Sequence, residues 1–454
     1  MFLTLISLIS AMGGFLFGYE TVVIAGTIGL LKTQYAFSAL MEGWFVSSGL
    51  VGCMAGVALA GTLSDRFGRK KVMILSGLLL TLASIGCAVA SNAWLLIFAR
   101  MLGGAGVGIA SIISPLYISE VSPPQLRGRF VSLFQLTITL GIVAAMLINA
   151  ALLEYSMQPA AAATTGLWHW LMVAQVWRGM FLLQALPSLV FFVCALLVPD
   201  SPRWLVTAGQ PDSALRVLMK LRAGETAART ELEAIRSAVA EETDSVSQLW
   251  TSGLRKPLWL AIFLAVFSEL SGITVVMYYG PVILEKAGLA ANKSLGGHAI
   301  IGMVLAASTL LAVWLVDKVG RRKLLLTGVA GACVSLALTG GFFLRGIMEG
   351  SQVVILLCAF VAFFAFSMGP IKWIVIAEIF PTKIRARAMS VATLALWLTD
   401  VAINFAFPAV RDLFGVSAMF LLCSGFLLIQ WWGVWQRLPE TKGMSLEAIE
   451  RLWR

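Results

Sequence analysis

Charged residues and histidine are scarce in this sequence. Only 12% of its 454 residues are charged, and 59% are hydrophobic. A soluble globular protein has about twice that share of charge, and a disordered chain has far fewer hydrophobic residues, so both classes are excluded. The hydrophobic runs are continuous over about 20 residues and do not alternate, which indicates helices rather than barrel strands. The sequence predicts an all-α membrane protein.

Metal-binding and catalytic patterns are also missing. The two histidines are His169 and His298, and the six cysteines each fall in a different hydrophobic segment without paired spacing. This distribution argues against a metal site, and we expect no cofactor. Since no nucleophile–base arrangement is recognisable either, we expect that the protein is not an enzyme.

Lysine and arginine are distributed unevenly between the predicted loops. Of 33 such residues, 25 lie after even-numbered spans or in the C-terminal tail, 6 lie in the opposite loops and 2 lie within spans. This bias follows the positive-inside rule and places both termini in the cytoplasm. We therefore attribute the net charge of +10 to membrane topology and not to nucleic-acid binding. We expect a monomer in a bacterial inner membrane, and an Asn-Lys-Ser triplet at 292–294 leaves a eukaryotic origin open.

Twelve membrane spans can be placed. They are expected at 4–28, 43–62, 72–90, 94–118, 129–153, 179–198, 257–283, 298–316, 324–344, 352–377, 386–410 and 416–437. Between the sixth and seventh spans, leucines at helical spacing such as Leu215, Leu218 and Leu221 predict short amphipathic helices. The expected domains are an N-terminal six-helix half at 1–198, a cytoplasmic linker at 199–256, a C-terminal six-helix half at 257–437 and a cytoplasmic tail at 438–454.

Three loop signatures occur twice. The pairs are GTLSDRFGRKK (61–71) with VDKVGRRK (316–323), SEVSPPQLRGR (119–129) with AEIFPTKIRAR (377–387), and PDSPRWL (199–205) with LPETKG (438–443). Recurrence at corresponding loops indicates two halves related by duplication. Such a repeat in a helical membrane protein is typical of a secondary transporter.

These signatures, with five others, resemble the sugar porter branch of the major facilitator superfamily over nearly the whole chain. The others are GGFLFGYE (13–20), RMLGGAGVG (100–108), WRGMF (177–181), VVMYYGP (275–281) and GPIKW (369–373). The resemblance implies twelve helices in two pseudo-symmetric halves and transport by alternating access. It implies proton-coupled symport, with a proton and a sugar or related small polar solute as partners beside the lipid bilayer.

Charged residues near the cytoplasmic ends of the spans are expected to form a gate. They are Asp65, Arg66, Arg69, Glu120, Arg127, Asp317, Arg321, Glu378 and Arg385. Acid–base clusters of this kind could pair when the cytoplasmic side is closed and separate when it opens. The alternative is that they only anchor the topology, because isolated surface pairs contribute about 0–1 kcal/mol each.

Five ionisable residues fall within predicted spans: Glu20, Arg100, Glu269, Lys372 and Asp400. Charge inside the bilayer is costly, so a functional role is the default interpretation. By resemblance, Glu20 occupies the position where proton-coupled sugar porters carry an aspartate, and Arg100 occupies that of its arginine partner. This implies a proton-coupling pair, and a purely structural ion pair is the alternative.

The expected solute site departs from the family pattern. The resemblance assigns to it Gln135, Ser268, Glu269, Thr274, Tyr278, Phe364, Trp373 and Trp397. We add Lys372, at a position that is small and neutral in the family, and Asp400, which shares a helix face with Trp397 and Asn404. Of the residues assigned by resemblance, Ser268, Glu269 and Thr274 replace amide residues of the family. A site that has lost amides rejects a hexose, so we expect weak D-glucose binding and tighter binding of a polyol, aminosugar or sugar acid. Alternatively, Glu269 and Lys372 neutralise each other and the aromatic residues only pack.

Two other activities remain open at this stage. One is a facilitator or exchanger for an organic ion, such as a sugar acid, an aminosugar or an amine. The other is a nutrient sensor built like a transporter.

Overall fold

Helices form nearly all of the chain. The computed structural model describes residues 2–123, 126–222, 224–240, 255–346, 349–380, 382–440 and 442, with side chains except at 127–129, 131, 238, 240, 313–314, 316–317, 377 and 382–387. No strand occurs among these residues. In chain order the helices are α1 (Phe2–Val23), α2 (Ile28–Tyr35), α3 (Ala39–Phe67), α4 (Arg69–Val89), α5 (Ala93–Val121), α6 (Arg127–Ser156), α7 (Pro159–Ala162), α8 (Gly166–His169), α9 (Val176–Leu197), α10 (Pro202–Thr207), α11 (Pro211–Leu221), α12 (Glu225–Ala240), α13 (Arg255–Leu270), α14 (Ile273–Lys286), α15 (Ala291–Val319), α16 (Arg321–Arg345), α17 (Gly350–Phe366), α18 (Met368–Glu378) and α19 (Thr382–Arg437).

Many of these helices are long and apolar enough to cross a membrane. Within the described residues, 11 helical stretches are long and apolar enough to cross a membrane. The last of them lies in α19, whose backbone leaves helical geometry at Gly415 (φ 82°, ψ 166°). The predicted eleventh and twelfth spans meet at this residue, so α19 accounts for two of the twelve expected spans.

The chain divides into two compact units. Unit 1 comprises Met1–Thr27 and Ser48–Asp244, and unit 2 comprises Ile28–Ser47 and Ser245–Arg454. In unit 1, α4 packs against α9 and α5; in unit 2, α16 packs against α19 and α17. These are corresponding spans of the sequence repeat. The segment Ile28–Ser47, which covers the loop after the predicted first span and the start of the second, groups with unit 2.

The predicted linker contains α10, α11 and α12, which pack on one another. Their shared core consists of Leu205, Ala214, Leu218, Ala228 and Leu232. Helical spacing places these apolar residues on one face of each helix, where they exclude water. The Arg222 side chain pairs with Glu231 and donates to the Val121 carbonyl at 3.1 Å, so it attaches this small core to the end of α5.

Glycine allows α3 and α5 to approach closely within unit 1. A Cβ at Gly52 would lie 2.1 Å from the Met101 carbonyl oxygen, and a Cβ at Gly104 would lie 1.9 Å from the Gly49 carbonyl oxygen. Small residues at such contacts are typical of packed membrane helices. The backbones of these two helices therefore touch where any larger residue would separate them.

We expect Gly52→Ala to destabilise the protein and Gly61→Ala, in the same helix, to leave it unchanged or slightly more stable. The added methyl group at Gly52 collides with backbone, and overpacking of this kind costs about 1–3 kcal/mol. A Cβ at Gly61 has no atom within 4 Å. Thermal unfolding of both variants in one detergent measures the difference. Equal melting temperatures would show that this contact does not limit stability.

Candidate functional site

Glu20 lies in a buried polar cluster of unit 1. It belongs to α1 and is 7% exposed. The Gln184 amide of α9 donates a hydrogen bond from Nε2 to Glu20 Oε2 at 2.6 Å. The guanidinium of Arg100, from α5, lies 3.7 Å from Glu20 Oε1. The structure thus brings together the two residues predicted to couple the proton and adds a third.

Two glycines leave room for this cluster. A Cβ at Gly49 would lie 2.8 Å from Arg100 Nη2, and a Cβ at Gly103 would lie 3.1 Å from Glu20 Oε1. The Phe181 ring centre lies 5.8 Å from the Arg100 guanidinium carbon. The acid and the guanidinium are therefore packed against glycine backbone and an aromatic ring, and both side chains are buried.

Lys372 is the centre of a second buried cluster, in unit 2. Its Nζ lies 2.9 Å from Glu269 Oε1 and donates to Ser268 Oγ at 2.9 Å. It also faces the rings of Phe364 and Trp373, whose centres lie 5.9 and 5.5 Å away. The internal pairing of Glu269 with Lys372, one of the alternatives from the sequence, is present in this structure.

Asp400 and Asn404 extend this cluster from α19. The Asn404 amide donates from Nδ2 to Asp400 Oδ1 at 2.7 Å and to Thr274 Oγ1 at 3.0 Å. Both residues on α19 are buried. The Tyr279 hydroxyl donates to the Asn404 carbonyl oxygen at 3.0 Å, which joins α14 to α19. Asn404 was not among the predicted site residues, although its spacing placed it on the same helix face as Asp400.

The remaining predicted solute residues are placed differently. Tyr278 is buried in α14, and Trp397 is partly buried one turn before Asp400 in α19. Gln135 belongs to unit 1, where its side chain is exposed on α6. The predicted solute residues are thus divided between the two units, with Gln135 in unit 1 and the others in unit 2.

Three of the predicted gate residues meet at the start of α4. Arg69 donates to both carboxylate oxygens of Glu120, at 2.9 and 3.0 Å, and lies 3.2 Å from Asp65 Oδ1. Arg66 instead lies over the Phe67 ring, 5.2 Å from its centre. The Arg127 side chain lies outside the described residues.

The matching position of unit 2 has the same arrangement. Arg321, the first residue of α16, lies 3.0 Å from Glu378 Oε1. The side chains of Asp317 and Arg385 lie outside the described residues. Because Arg69 and Arg321 both begin a helix after the repeated loop and both bind an acid, the duplication extends to the contacts of individual side chains.

Two acids that the prediction omitted cap these helices. Asp200 Oδ1 accepts from the Lys70 backbone N–H at 3.4 Å, and the Glu440 carboxylate accepts from the backbone N–H groups of Arg321 and Arg322 at 2.9 and 3.2 Å. A carboxylate at a helix N-terminus is stabilised by the helix dipole. The signal in the sequence was the acid shared by the repeated PDSPRWL and LPETKG motifs.

The loops before these helices share one backbone conformation. Gly68 has φ 91° and ψ 159°, and Gly320 has φ 99° and ψ 156°. Residues with a side chain rarely adopt this region, so glycine is required at both turns. Because the two turns have the same conformation, the N-termini of α4 and α16 both point toward the acid that caps them.

A profile of the sugar (and other) transporter family matches residues 6–453. The chain belongs to this family. The transporter is 40% identical to the arabinose-proton symporter of Bacillus subtilis, over 100% of this chain and 95% of that protein. It is 38% identical to the glucose transport protein of Synechocystis, over 99% and 97% of the two chains. The inward-open structure of the xylose transporter XylE from E. coli superposes with a TM-score of 0.85 at 29% identity and covers 100% of both chains.

Family membership confirms several predictions from the sequence. The all-α membrane fold is that of the major facilitator superfamily, as predicted. The chain is a multi-pass membrane transporter and not an enzyme, also as predicted. The roles assigned to individual site residues stay predictions.

The transporter has another buried ion pair, which the sequence does not indicate. Arg411 of α19 donates to both oxygens of Glu42 in α3, at 2.6 and 3.0 Å, and Lys32 lies 2.8 Å from the same carboxylate. All three belong to unit 2. Arg411 and Glu42 lie 369 residues apart, so no local pattern in the sequence points to their pairing.

Asp200 provides a test of pH dependence. Burial raises the pKa of its carboxyl above the usual value, against the opposing effects of Lys70, Lys71 and Arg69. The folded transporter therefore binds this proton at a higher pH than the unfolded chain, so lowering the pH through this window adds stability. We expect Asp200→Asn to flatten the dependence of the melting temperature on pH in the mildly acidic range. The exposed Asp212→Asn is the control, and identical curves for the two variants would contradict the expectation.

Proposed function

We propose that this transporter imports a sugar or a closely related polyhydroxylated solute together with a proton. We further propose that it does so across the inner membrane of a bacterium, with both termini in the cytoplasm. The observation that carries the proposal is the buried cluster of Glu20, Arg100 and Gln184 in the membrane helices of unit 1.

This cluster has the chemistry of a proton carrier. Removal of water favours a neutral acid, whereas the guanidinium and the Gln184 amide favour a carboxylate. The Arg100–Glu20 separation of 3.7 Å is longer than the 2.9 Å of the Lys372–Glu269 pair. A small movement of Arg100 therefore shifts the balance, so that Glu20 takes up a proton when the guanidinium withdraws and releases it when the guanidinium returns.

The relatives support the choice of solute and coupling ion. An arabinose-proton symporter and a D-xylose transporter are among them, and a structural relative is described as a proton:xylose symporter. A glucose transport protein and a myo-inositol transporter are also similar. Pentoses are thus the first solutes to test, followed by glucose and myo-inositol.

The arrangement around Lys372 favours a neutral solute over an organic ion. Lys372 and Glu269 form a close ion pair, so each charge is already satisfied within the protein. A site for a sugar acid or an amine needs one of these charges available to the solute. The pair thus supports the sugar proposal against the organic-ion alternative.

The proposal is tested with purified transporter in proteoliposomes. We expect labelled L-arabinose or D-xylose to accumulate above its external concentration only under an inward proton gradient. A protonophore should collapse this accumulation, and solute addition should acidify the lumen. Equilibration without accumulation would instead indicate a facilitator. Transport of a sugar acid or an amine, with no transport of neutral sugars, would support the organic-ion alternative.

A further inference from the structure

The buried cluster of unit 2 contains more acid than base. Among the described residues, its carboxyl groups are Glu269 and Asp400, and its one cation is Lys372, whose Nζ bonds to Glu269. Across the described part of the chain, no lysine or arginine forms an ion pair with Asp400. Asp400 is nevertheless only 3% exposed.

The groups that face Asp400 are neutral, apart from the Glu269–Lys372 pair. From α19, the Asn404 amide donates to Asp400 Oδ1 at 2.7 Å. From α14, Thr274 accepts from the same amide, and its hydroxyl hydrogen-bonds to the Asp400 carboxyl. From α13 and α18, the charges of Glu269 and Lys372 both act on it. Asp400 therefore faces one like charge, and the one opposite charge in range is already bonded to that acid.

Hydrogen bonding in the cluster also leaves an acceptor without a donor. Asn404 Oδ1 is buried and, among the described residues, has no hydrogen-bond partner. The Lys372 ammonium donates to Ser268 and Glu269. Buried polar atoms are normally satisfied, so this unpaired oxygen marks the cluster as unusual. A proton on Asp400 would cancel the excess negative charge of the cluster.

We propose that Asp400 is a second proton-binding site of this transporter and that Lys372 controls its occupancy. In the arrangement seen here, Lys372 bonds to Glu269 and Asp400 is a neutral acid. When Lys372 turns from Glu269 to Asp400, the ammonium stabilises the Asp400 carboxylate, and the proton passes to Glu269, which has lost its cation. When Lys372 returns to Glu269, that proton leaves for water and Asp400 takes up a new one. One cation shared by two acids thus switches a carboxyl between its two forms.

The part of this inference that concerns transport rests on the proposed function, but the proton on Asp400 does not. Infrared spectroscopy of the purified protein at neutral pH therefore tests it without any solute. The carbonyl stretch of a protonated carboxylic acid is separate from the bands of carboxylates, and it shifts in D₂O. We expect Asp400→Asn, which keeps the shape of the neutral acid, to remove the signal of one carboxylic acid and to leave the melting temperature close to that of the unmodified protein.

Two more variants make the test specific to Lys372. Glu269→Gln releases Lys372 to Asp400, so the Asp400 acid signal should be lost although Asp400 is still present. Lys372→Met removes the cation, so Glu269 should become neutral and add an acid signal. Glu20→Gln identifies any contribution from the unit 1 cluster. An acid signal unchanged in both Asp400→Asn and Glu269→Gln would overturn the proposal, and the second variant decides if the first does not fold.

Transport gives the final arm of the experiment. With Asp400→Asn, we expect the number of protons entering per solute to fall by one. An unchanged ratio would overturn a role for Asp400 in coupling. If the unmodified protein moves no protons with solute, the proposed function fails, while the infrared signal still decides whether Asp400 holds a proton.

Discussion

Glu20→Gln should abolish accumulation of solute against its concentration gradient and leave exchange of labelled for unlabelled solute nearly intact. Glutamine cannot carry a proton, so the variant loses the link between the proton gradient and solute movement. Its amide can still bond to Gln184, which lies 2.6 Å from the native carboxylate. Exchange needs only the conformational cycle of the loaded protein. Uptake under an inward proton gradient, and counterflow without one, measure the two properties in the same proteoliposomes.

A matched control is Glu20→Asp, which keeps an ionisable group and should retain part of the accumulation. Neutralising Glu20 also removes the carboxylate that lies 3.7 Å from Arg100, so we expect a lower melting temperature than in the unmodified protein. Counterflow shows whether enough folded transporter remains. Accumulation by Glu20→Gln at the native level would exclude Glu20 as the coupling residue.

The second large effect is expected from the Lys372–Glu269 pair. Removing one partner of a buried ion pair leaves an uncompensated charge, which costs about 3–5 kcal/mol. Lys372→Met should therefore strongly lower the melting temperature and yield. Glu269→Gln should have a smaller effect because Asp400 offers Lys372 another carboxyl. The double variant should recover most of the loss, since neither charge then remains. Thermal unfolding and yield of the two single variants and the double variant measure how strongly the two residues depend on each other for stability.

An exposed pair in the same chain gives the comparison. Arg229 and Glu225 lie 2.7 Å apart at i and i+4 on α12, with exposed fractions of 62% and 61%. Exposed pairs of this kind contribute about 0.3–0.5 kcal/mol, so Glu225→Gln should change the melting temperature little. Lys372→Met and Glu269→Gln are compared with Glu225→Gln by their melting temperatures. If they lower the melting temperature as little as Glu225→Gln does, or if the double variant melts below both single variants, the pair does not stabilise the fold. High-affinity D-glucose binding unaffected by both singles would contradict the substrate expectation from the sequence.

Local patterns in the sequence were sufficient for the membrane architecture. A hydrophobic run of about 20 residues reports a span wherever it occurs, because lipid requires the backbone to satisfy its own hydrogen bonds. The repeated loops likewise indicated the duplication. In the structure, Arg69 and Arg321 make equivalent contacts with an acid in their own unit. The presence of Glu20, Glu269 and Lys372 within spans was enough to mark them as candidate functional residues.

The partner of each buried charge, by contrast, depended on packing between distant segments. Glu20 bonds to Gln184, which is 164 residues away. Lys372 pairs with Glu269 across 103 residues, and Arg411 pairs with Glu42 across 369. Hydropathy is a property of one helix and can be read in a short window. Partner choice is a property of the contact between two helices, so it follows from how the helices pack and not from the pattern within either one.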